Sequence, residues 1–222
     1  MKKLFTRCSV ASFLVLAVFM SSASASIIIS QYYEGSSFNK YIELHNAGSS
    51  AVDLDADEYN LSHWSNAARE DWKTGGSPTD TQALSGVIPA GGTYLVAHTQ
   101  ASDPSYALPA DASGLGGVNF NGDDSSVLWT GTTYSFASVV DAFGVTGSGF
   151  SNTSFVRNAD VLSGTNADFN ASQWTEFSNS DVDNALAGTN QRLGEHAVIP
   201  EPSSFVGMLL LFGMAGVTMR RR

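Results

Sequence analysis

Ile29-Ser30-Gln31-Tyr32-Tyr33-Glu34-Gly35-Ser36-Ser37-Phe38-Asn39-Lys40-Tyr41-Ile42-Glu43-Leu44-His45-Asn46 is the stretch whose reading decides the fold. Two runs rich in aromatic and aliphatic residues flank a Gly/Ser/Asn cluster, and the second alternates apolar with polar positions through Ile42, Glu43, Leu44 and His45. A period of two is the mark of a strand with one buried face, and the small polar cluster between the runs marks a reversal. Thr93-Tyr94-Leu95-Val96-Ala97-His98 repeats the pattern. Working outward in both directions, the spacing predicts strands near residues 27–33, 39–46, 59–64, 84–88, 93–98, 125–130, 137–143, 153–157 and 172–177. No amphipathic helical period lasts beyond two turns, and only residues 181–187 look helix-prone. Many short strands joined by turn-rich links imply an all-β sandwich, and the lack of a fixed repeat period excludes a solenoid or propeller.

Both ends of the chain are apolar and read differently from the body. Lys2, Lys3 and Arg7 precede an eleven-residue apolar run, residues 10–20, followed by Ala23-Ser24-Ala25. This is the layout of a secretory signal peptide, residues 1–25, cleaved before Ser26. As a helix the run would reach about 16 Å, roughly half of a bilayer's hydrocarbon core. Cys8, the chain's single cysteine, leaves with that segment, so the mature body carries neither disulfide nor thiolate metal site. At the other end, residues 203–219 are uncharged and largely apolar, at the lower limit for a spanning helix, with Arg220, Arg221 and Arg222 placed to stay cytoplasmic. Pro200 and Pro202 separate this helix from the body, because neither continues a helix and each restricts the residue before it. The expected organisation is a domain over residues 26–193, a linker over 194–202 and a hydrophobic helix with its arginine cluster over 203–222.

Two resemblances bear on this layout. The order Pro200-Glu201-Pro202, apolar helix, Arg220-Arg221-Arg222 resembles the PEP-CTERM sorting signal of Gram-negative bacteria. It implies export to the cell envelope or extracellular matrix, a membrane processing enzyme of the exosortase type as partner, and an association with exopolysaccharide. The opening stretch resembles the start of a lamin tail domain, an immunoglobulin-like β-sandwich. The likeness continues through Ile88-Pro89-Ala90-Gly91-Gly92-Thr93-Tyr94-Leu95-Val96, Phe120-Asn121-Gly122-Asp123-Asp124, Val139-Val140-Asp141-Ala142-Phe143-Gly144 and Ser154-Phe155-Val156-Arg157, with Trp174 downstream. The position after Ile29-Ser30, usually acidic in that family, is Gln31 here, and residues 67–81 read as an insertion or elongated loop.

Charge narrows the partners. Between Ser26 and Pro200 stand five cations (Lys40, Arg69, Lys73, Arg157, Arg192) against twenty carboxylates, a net charge of −15. Phosphate neutralisation needs the opposite sign, so nucleic acid is disfavoured as a direct ligand. Catalytic signals are missing. No Gly-x-Ser-x-Gly and no His-Glu-x-x-His occurs, and His45 and His98 fall on strand patterns. Carboxylates are abundant, but abundance alone selects no glycosidase pair. Asp53-Leu54-Asp55-Ala56-Asp57-Glu58 begins like a calcium loop and fails, because Glu58 stands where glycine is required and Trp64 where the bidentate glutamate belongs. The Asn121, Asp123 and Asp124 oxygens could join a weak calcium site, with a solvated hairpin turn as the alternative. No other cofactor is expected. Arg157 could pair with Asp141 or Asp124 at a sheet edge. Among the tryptophans Trp72, between Asp71 and Lys73, looks least like a core residue and is the candidate ligand contact. These features imply a non-catalytic envelope protein displaying one sandwich for adhesion or matrix contact. Possible partners are extracellular polysaccharide or another surface protein, and the alternative is an accessory carbohydrate-binding module or small hydrolase.

Overall fold

The computed structural model describes residues 26–102, 110–147 and 149–197. The expected signal peptide, residues 1–25, and the tail with the expected hydrophobic helix, residues 198–222, lie outside these residues. Among the described residues no helix is long and apolar enough to cross a membrane.

In chain order the strands are β1 (Ile27–Glu34), β2 (Lys40–Asn46), β3 (Val52–Asp53), β4 (Tyr59–Trp64), β5 (Asp80–Ala83), β6 (Val87–Ile88), β7 (Thr93–His98), β8 (Ala112–Gly114), β9 (Ser125–Thr130), β10 (Val139–Phe143), β11 (Thr153–Arg157) and β12 (Trp174–Ser178), and a single α-helical turn, α1 (Asn179–Asp183), follows. A six-stranded sheet in the order β12-β11-β1-β2-β7-β8 packs on a four-stranded sheet in the order β10-β9-β4-β5, and β3 pairs with β6 beside them. All pairings are antiparallel except β7 with β8. The all-β sandwich expected from the alternation is the fold observed.

The opening hairpin carries a feature that alternation alone hides. Ile29 pairs with Leu44 but Gln31 pairs with Glu43, so Ser30 is an extra residue in β1. This bulge switches the parity of the strand: Ile27 and Ile29 face the core before it, and Tyr32 faces the core after it. Inside the sandwich Tyr32 stacks between Phe120 (centroids 4.0 Å apart) and Phe143 (4.2 Å). Phe150, Phe155, Phe169 and Trp174 extend this aromatic core, whose burial and edge-to-face contacts supply much of the stability.

Beside the bulge, the Ile29 N–H donates to Asp141 Oδ2 at 2.7 Å. Asp141 Oδ1 accepts from the N–H groups of Thr165 (2.8 Å) and Ala142 (3.0 Å). Arg157 closes the cluster: a guanidinium nitrogen donates to Asp141 Oδ2, Nε donates to the Ile29 carbonyl at 3.1 Å, and the guanidinium lies 4.1 Å from the Trp174 ring centre. Of the two expected partners Asp141, and not Asp124, pairs with Arg157, and it does so inside the sandwich instead of at a sheet edge. Both side chains are fully buried, and the pair joins β1, β10, β11 and β12 across the two sheets.

A third layer covers the outer face of the larger sheet. Tyr33, Tyr41, Leu95 and Ala97 point away from the sandwich core, and Val182 of α1 and Leu193 pack on them. The segment following α1 runs along β2 as a strap. Gln31 Nε2 donates to the Gln191 carbonyl at 3.0 Å, the Gly194 N–H donates to Glu43 Oε2, and the His196 ring meets His45 at 4.9 Å. Gln31 therefore has a reason to be an amide: an ionised acid at that position could not donate to a carbonyl.

Some elements depart from the sequence reading. β3, β5 and β8 were not expected, and only Val87–Ile88 of residues 84–88 forms a strand. β5 is a polar edge strand whose residues Asp80, Thr81, Gln82 and Ala83 carry no apolar alternation. Two short 3₁₀ turns, Asn66–Ala68 and Asp71–Thr74, fall at the start of the loop expected at 67–81. The helix spans Asn179–Asp183, where Ser178 and Asp181 form a reciprocal capping box, instead of residues 181–187.

Candidate functional site

At the end of the sandwich where β1 leaves and β2 begins, three connections converge: residues 35–39, residues 65–79 and residues 119–124. They enclose an open groove of about 350 Å³ whose walls include Phe38, Lys40, His63, Asn66, Asn119 and Asp124. Gly35 N–H bonds the Asn39 carbonyl at 2.9 Å, and this tight turn thrusts Phe38 outward, 47 % exposed and stacked at 5.1 Å on the His98 ring. Its phenyl face is the apolar element of the rim.

The floor is polar and internally paired. Lys40 Nζ lies 3.1 Å from Glu34 Oε1 and 5.5 Å from the Phe120 ring centre. Burial raises the Glu34 carboxyl above its ordinary range, and Lys40 opposes the rise. Asp124 is buried and caps two backbone groups, the N–H of Asn66 at 2.7 Å and that of Asn121 at 3.2 Å. Burial raises its carboxyl too. His63 lies at the end of β4 with Nε2 4.0 Å from Asp80 Oδ2, and its Nδ1 has no hydrogen-bond partner among the described residues. Burial lowers its pKa, with Asp80 and Asp124 opposing, so the ring is neutral at pH 7.

This arrangement suits recognition better than catalysis. Ser65, a groove-lining hydroxyl two residues beyond His63, is engaged with Thr79 at 3.0 Å, and the adjacent Ser62 hydroxyl is held by Thr81 and Trp129. The two cations at the groove are both paired, Lys40 with Glu34 at 3.1 Å and Arg69 with Asp123 at 4.0 Å. An aromatic face beside amide and hydroxyl edges can stack on and hydrogen-bond an uncharged polar group.

The residues singled out from sequence scatter. Asn121, Asp123 and Asp124 do lie together in a turn, with Gly122 at φ 90° as the Asn-Gly pair implies. Asp124 faces inward to its caps, Asp123 faces Arg69, and no group of three His, Cys, Asp or Glu side chains placed to hold a metal occurs among the described residues. Trp72 requires a correction: it is fully buried, against the expectation that it is the least core-like tryptophan. Phe136 packs against its ring at 5.8 Å, and the Tyr134 hydroxyl donates to its carbonyl at 2.5 Å. The exposed aromatic at the groove is Phe38, which no apolar pattern marks because it sits in a polar turn. His45 and His98 are buried sheet residues. Pro200, Glu201, Pro202, Arg220, Arg221 and Arg222 lie outside the described residues.

Among known proteins, the lamin tail domain family matches residues 20–190. No curated protein matches the chain. With the two-sheet sandwich and a match over most of its length, the chain belongs to the lamin tail domain family.

Proposed function

We infer that the protein is exported and displays its sandwich at the cell envelope, as a non-catalytic module that makes adhesive or matrix contacts through the Phe38 groove. The observation that carries this reading is the polarity of the domain. Phe38 and Lys40 mark one end of β2. The strap runs the other way, meeting Glu43 with Gly194 and His45 with His196 on its path toward the Asn46 end. The seven residues of β2 span about 20 Å. The chain therefore leaves the sandwich at the pole opposite the groove. A body tethered by its C-terminus would present the groove away from the bilayer, where extracellular polysaccharide or another surface protein can reach it.

The resemblance of residues 198–222 to a PEP-CTERM signal supports export and handling by an exosortase-type enzyme, and the apolar run at 10–20 supports removal of a signal peptide before Ser26. The internally paired groove and the solvent-shielded His63 favour binding over hydrolysis. The test is the intact mass of the native protein recovered separately from membrane and medium of its own host. A species beginning at Ser26 and ending near Pro200 to Pro202 supports sorting with removal of the tail. A species ending at Arg222 and confined to membrane makes the helix a permanent anchor and refutes processing. A chain retaining residues 1–25 in the cytoplasm refutes export.

A further inference from the structure

The chain contains three Asn-x-Ser triplets, Asn60-Leu61-Ser62, Asn152-Thr153-Ser154 and Asn170-Ala171-Ser172. In an exported protein such a triplet is an acceptor for N-linked sugar when both the carboxamide and the hydroxyl two residues on can be reached. The fold separates the three.

Asn60 is buried in β4, and both hydrogens of its Nδ2 are used, toward the Glu58 carbonyl at 2.8 Å and the Gly131 carbonyl at 3.0 Å. Its partner Ser62 is buried between Thr81 Oγ1 at 2.7 Å and Trp129 Nε1 at 2.9 Å. Asn152 is exposed, but Ser154 is fully buried in β11 and its Oγ accepts the Glu34 N–H at 2.7 Å. Asn170 differs from both: Asn170, Ala171 and Ser172 are all exposed. The Asn170 carboxamide oxygen accepts from Ser172 Oγ at 2.9 Å and from the Ser172 N–H at 3.1 Å. Those two bonds occupy Oδ1, and Nδ2 donates to no partner among the described residues. Phe169, packed in the aromatic core 5.1 Å from Phe155, fixes the segment from behind.

We propose that Asn170 is an N-glycosylation site of the exported chain, the acceptor triplet that the folded domain leaves open. The donor class is an oligosaccharide carried on a lipid diphosphate and delivered by a membrane transferase. Asn170 Nδ2 forms a bond to the anomeric carbon of the first sugar, and the bond from that carbon to the diphosphate oxygen breaks. The lipid diphosphate leaves with the electron pair, and one Nδ2 proton passes to a base of the transferase. No oxidant or reductant is needed. The inference rests on export, because the donor and transferase work on the far side of the inner membrane.

The test is fragmentation mass spectrometry of the tryptic peptide 158–192 from the native protein of its own host, with the N-terminus of the same preparation determined. The expected result is added sugar mass on fragments containing Asn170, lost completely in Asn170→Gln and in Ser172→Ala, and kept in Ser172→Thr and Asn152→Gln. Matching circular dichroism of the variants excludes misfolding as the cause of any loss. A chain beginning at Ser26 with bare Asn170 overturns the proposal while leaving export standing. Sugar on Asn60 or Asn152 overturns selection by the fold. A chain that retains residues 1–25 overturns export and this inference with it.

Discussion

Replacing Glu43 by glutamine is expected to stabilise the protein, and only above mildly acidic pH. Glu43 is fully buried beneath the strap, where its carboxylate accepts from Ser30 Oγ at 2.6 Å and from the Gly194 N–H. No cation bonds it. Burial pushes its pKa from 4.5 up to about 7, and the two hydrogen bonds only partly oppose the rise. Between these values the folded state holds a proton that the unfolded state has lost, so the contribution of Glu43 to stability is greatest below pH 4.5 and falls as pH rises through about 7. The 2.5-unit difference corresponds to about 3 kcal/mol at pH 8. A glutamine retains the geometry, since its oxygen can accept from Gly194 while its nitrogen donates to Ser30 Oγ, which continues to the Glu43 carbonyl. Urea titrations of the full chain and its Glu43→Gln variant from pH 4.5 to 8 should therefore diverge. They coincide within about 0.5 kcal/mol at the acid end and reach about 3 kcal/mol in favour of glutamine at pH 8, or roughly 6–12 °C in Tm. A difference that does not change with pH, or a glutamine variant weaker at pH 8, refutes the assignment of Glu43 as a buried, uncompensated acid.

Three further outcomes check other parts of the account. Trp72→Ala should cost about 3–5 kcal/mol in urea unfolding, as a core tryptophan does, whereas a solvent-facing loop residue would cost about 0.5 kcal/mol or less. Arg157→Met should cost about 3–5 kcal/mol because Asp141 stays buried without its guanidinium, and pairing it with Asp141→Leu should recover part of the loss; a cost below 1 kcal/mol would show the pair exposed. His196 has its pKa lowered to about 4 by burial, with His45 and Arg157 adding to the shift, so it destabilises the fold as pH falls from 6.5 through about 4. His196→Gln should remove that part of the acid loss, and an acid limb identical to that of the parent protein would place His196 outside the strap contact.

How much of this was legible in the sequence depends on what periodicity can report. The alternation in Ile42, Glu43, Leu44 and His45 places Ile42 and Leu44 inward correctly. It also puts Glu43 and His45 on the opposite face, as observed. It does not say whether that face meets water. Here a third layer made by residues about 150 positions later buries both, and that is a tertiary fact with no local signature. Trp72 fails for the same reason. Its neighbours Asp71 and Lys73 advertise a surface loop, yet a 3₁₀ turn points the one apolar residue inward, and a side chain at position 144 would collide with its ring, which is why glycine stands there. The bulge at Ser30 leaves no trace in composition, although it decides which of Tyr32 and Tyr33 enters the core. The groove is built from three connections far apart in sequence, so its residues could be named only once the topology had gathered them. Turn chemistry was more transparent. Gly122 and Gly91 adopt the positive φ values that Asn-Gly and Pro-Ala-Gly-Gly imply.

The most direct test of the account is the orientation of the sandwich on a membrane. Residues 26–222 contain no cysteine, so in a chain beginning at Ser26 one fluorophore can be attached at Ser36→Cys beside the groove or at Ser50→Cys at the opposite pole, both exposed positions. The tail-bearing chain in lipid nanodiscs containing headgroup-level quenchers should show strong quenching at position 50 and little at position 36, since the two ends of β2 differ by about 20 Å in height. Strong quenching at position 36 with little at position 50 would turn the groove toward the bilayer and contradict outward display.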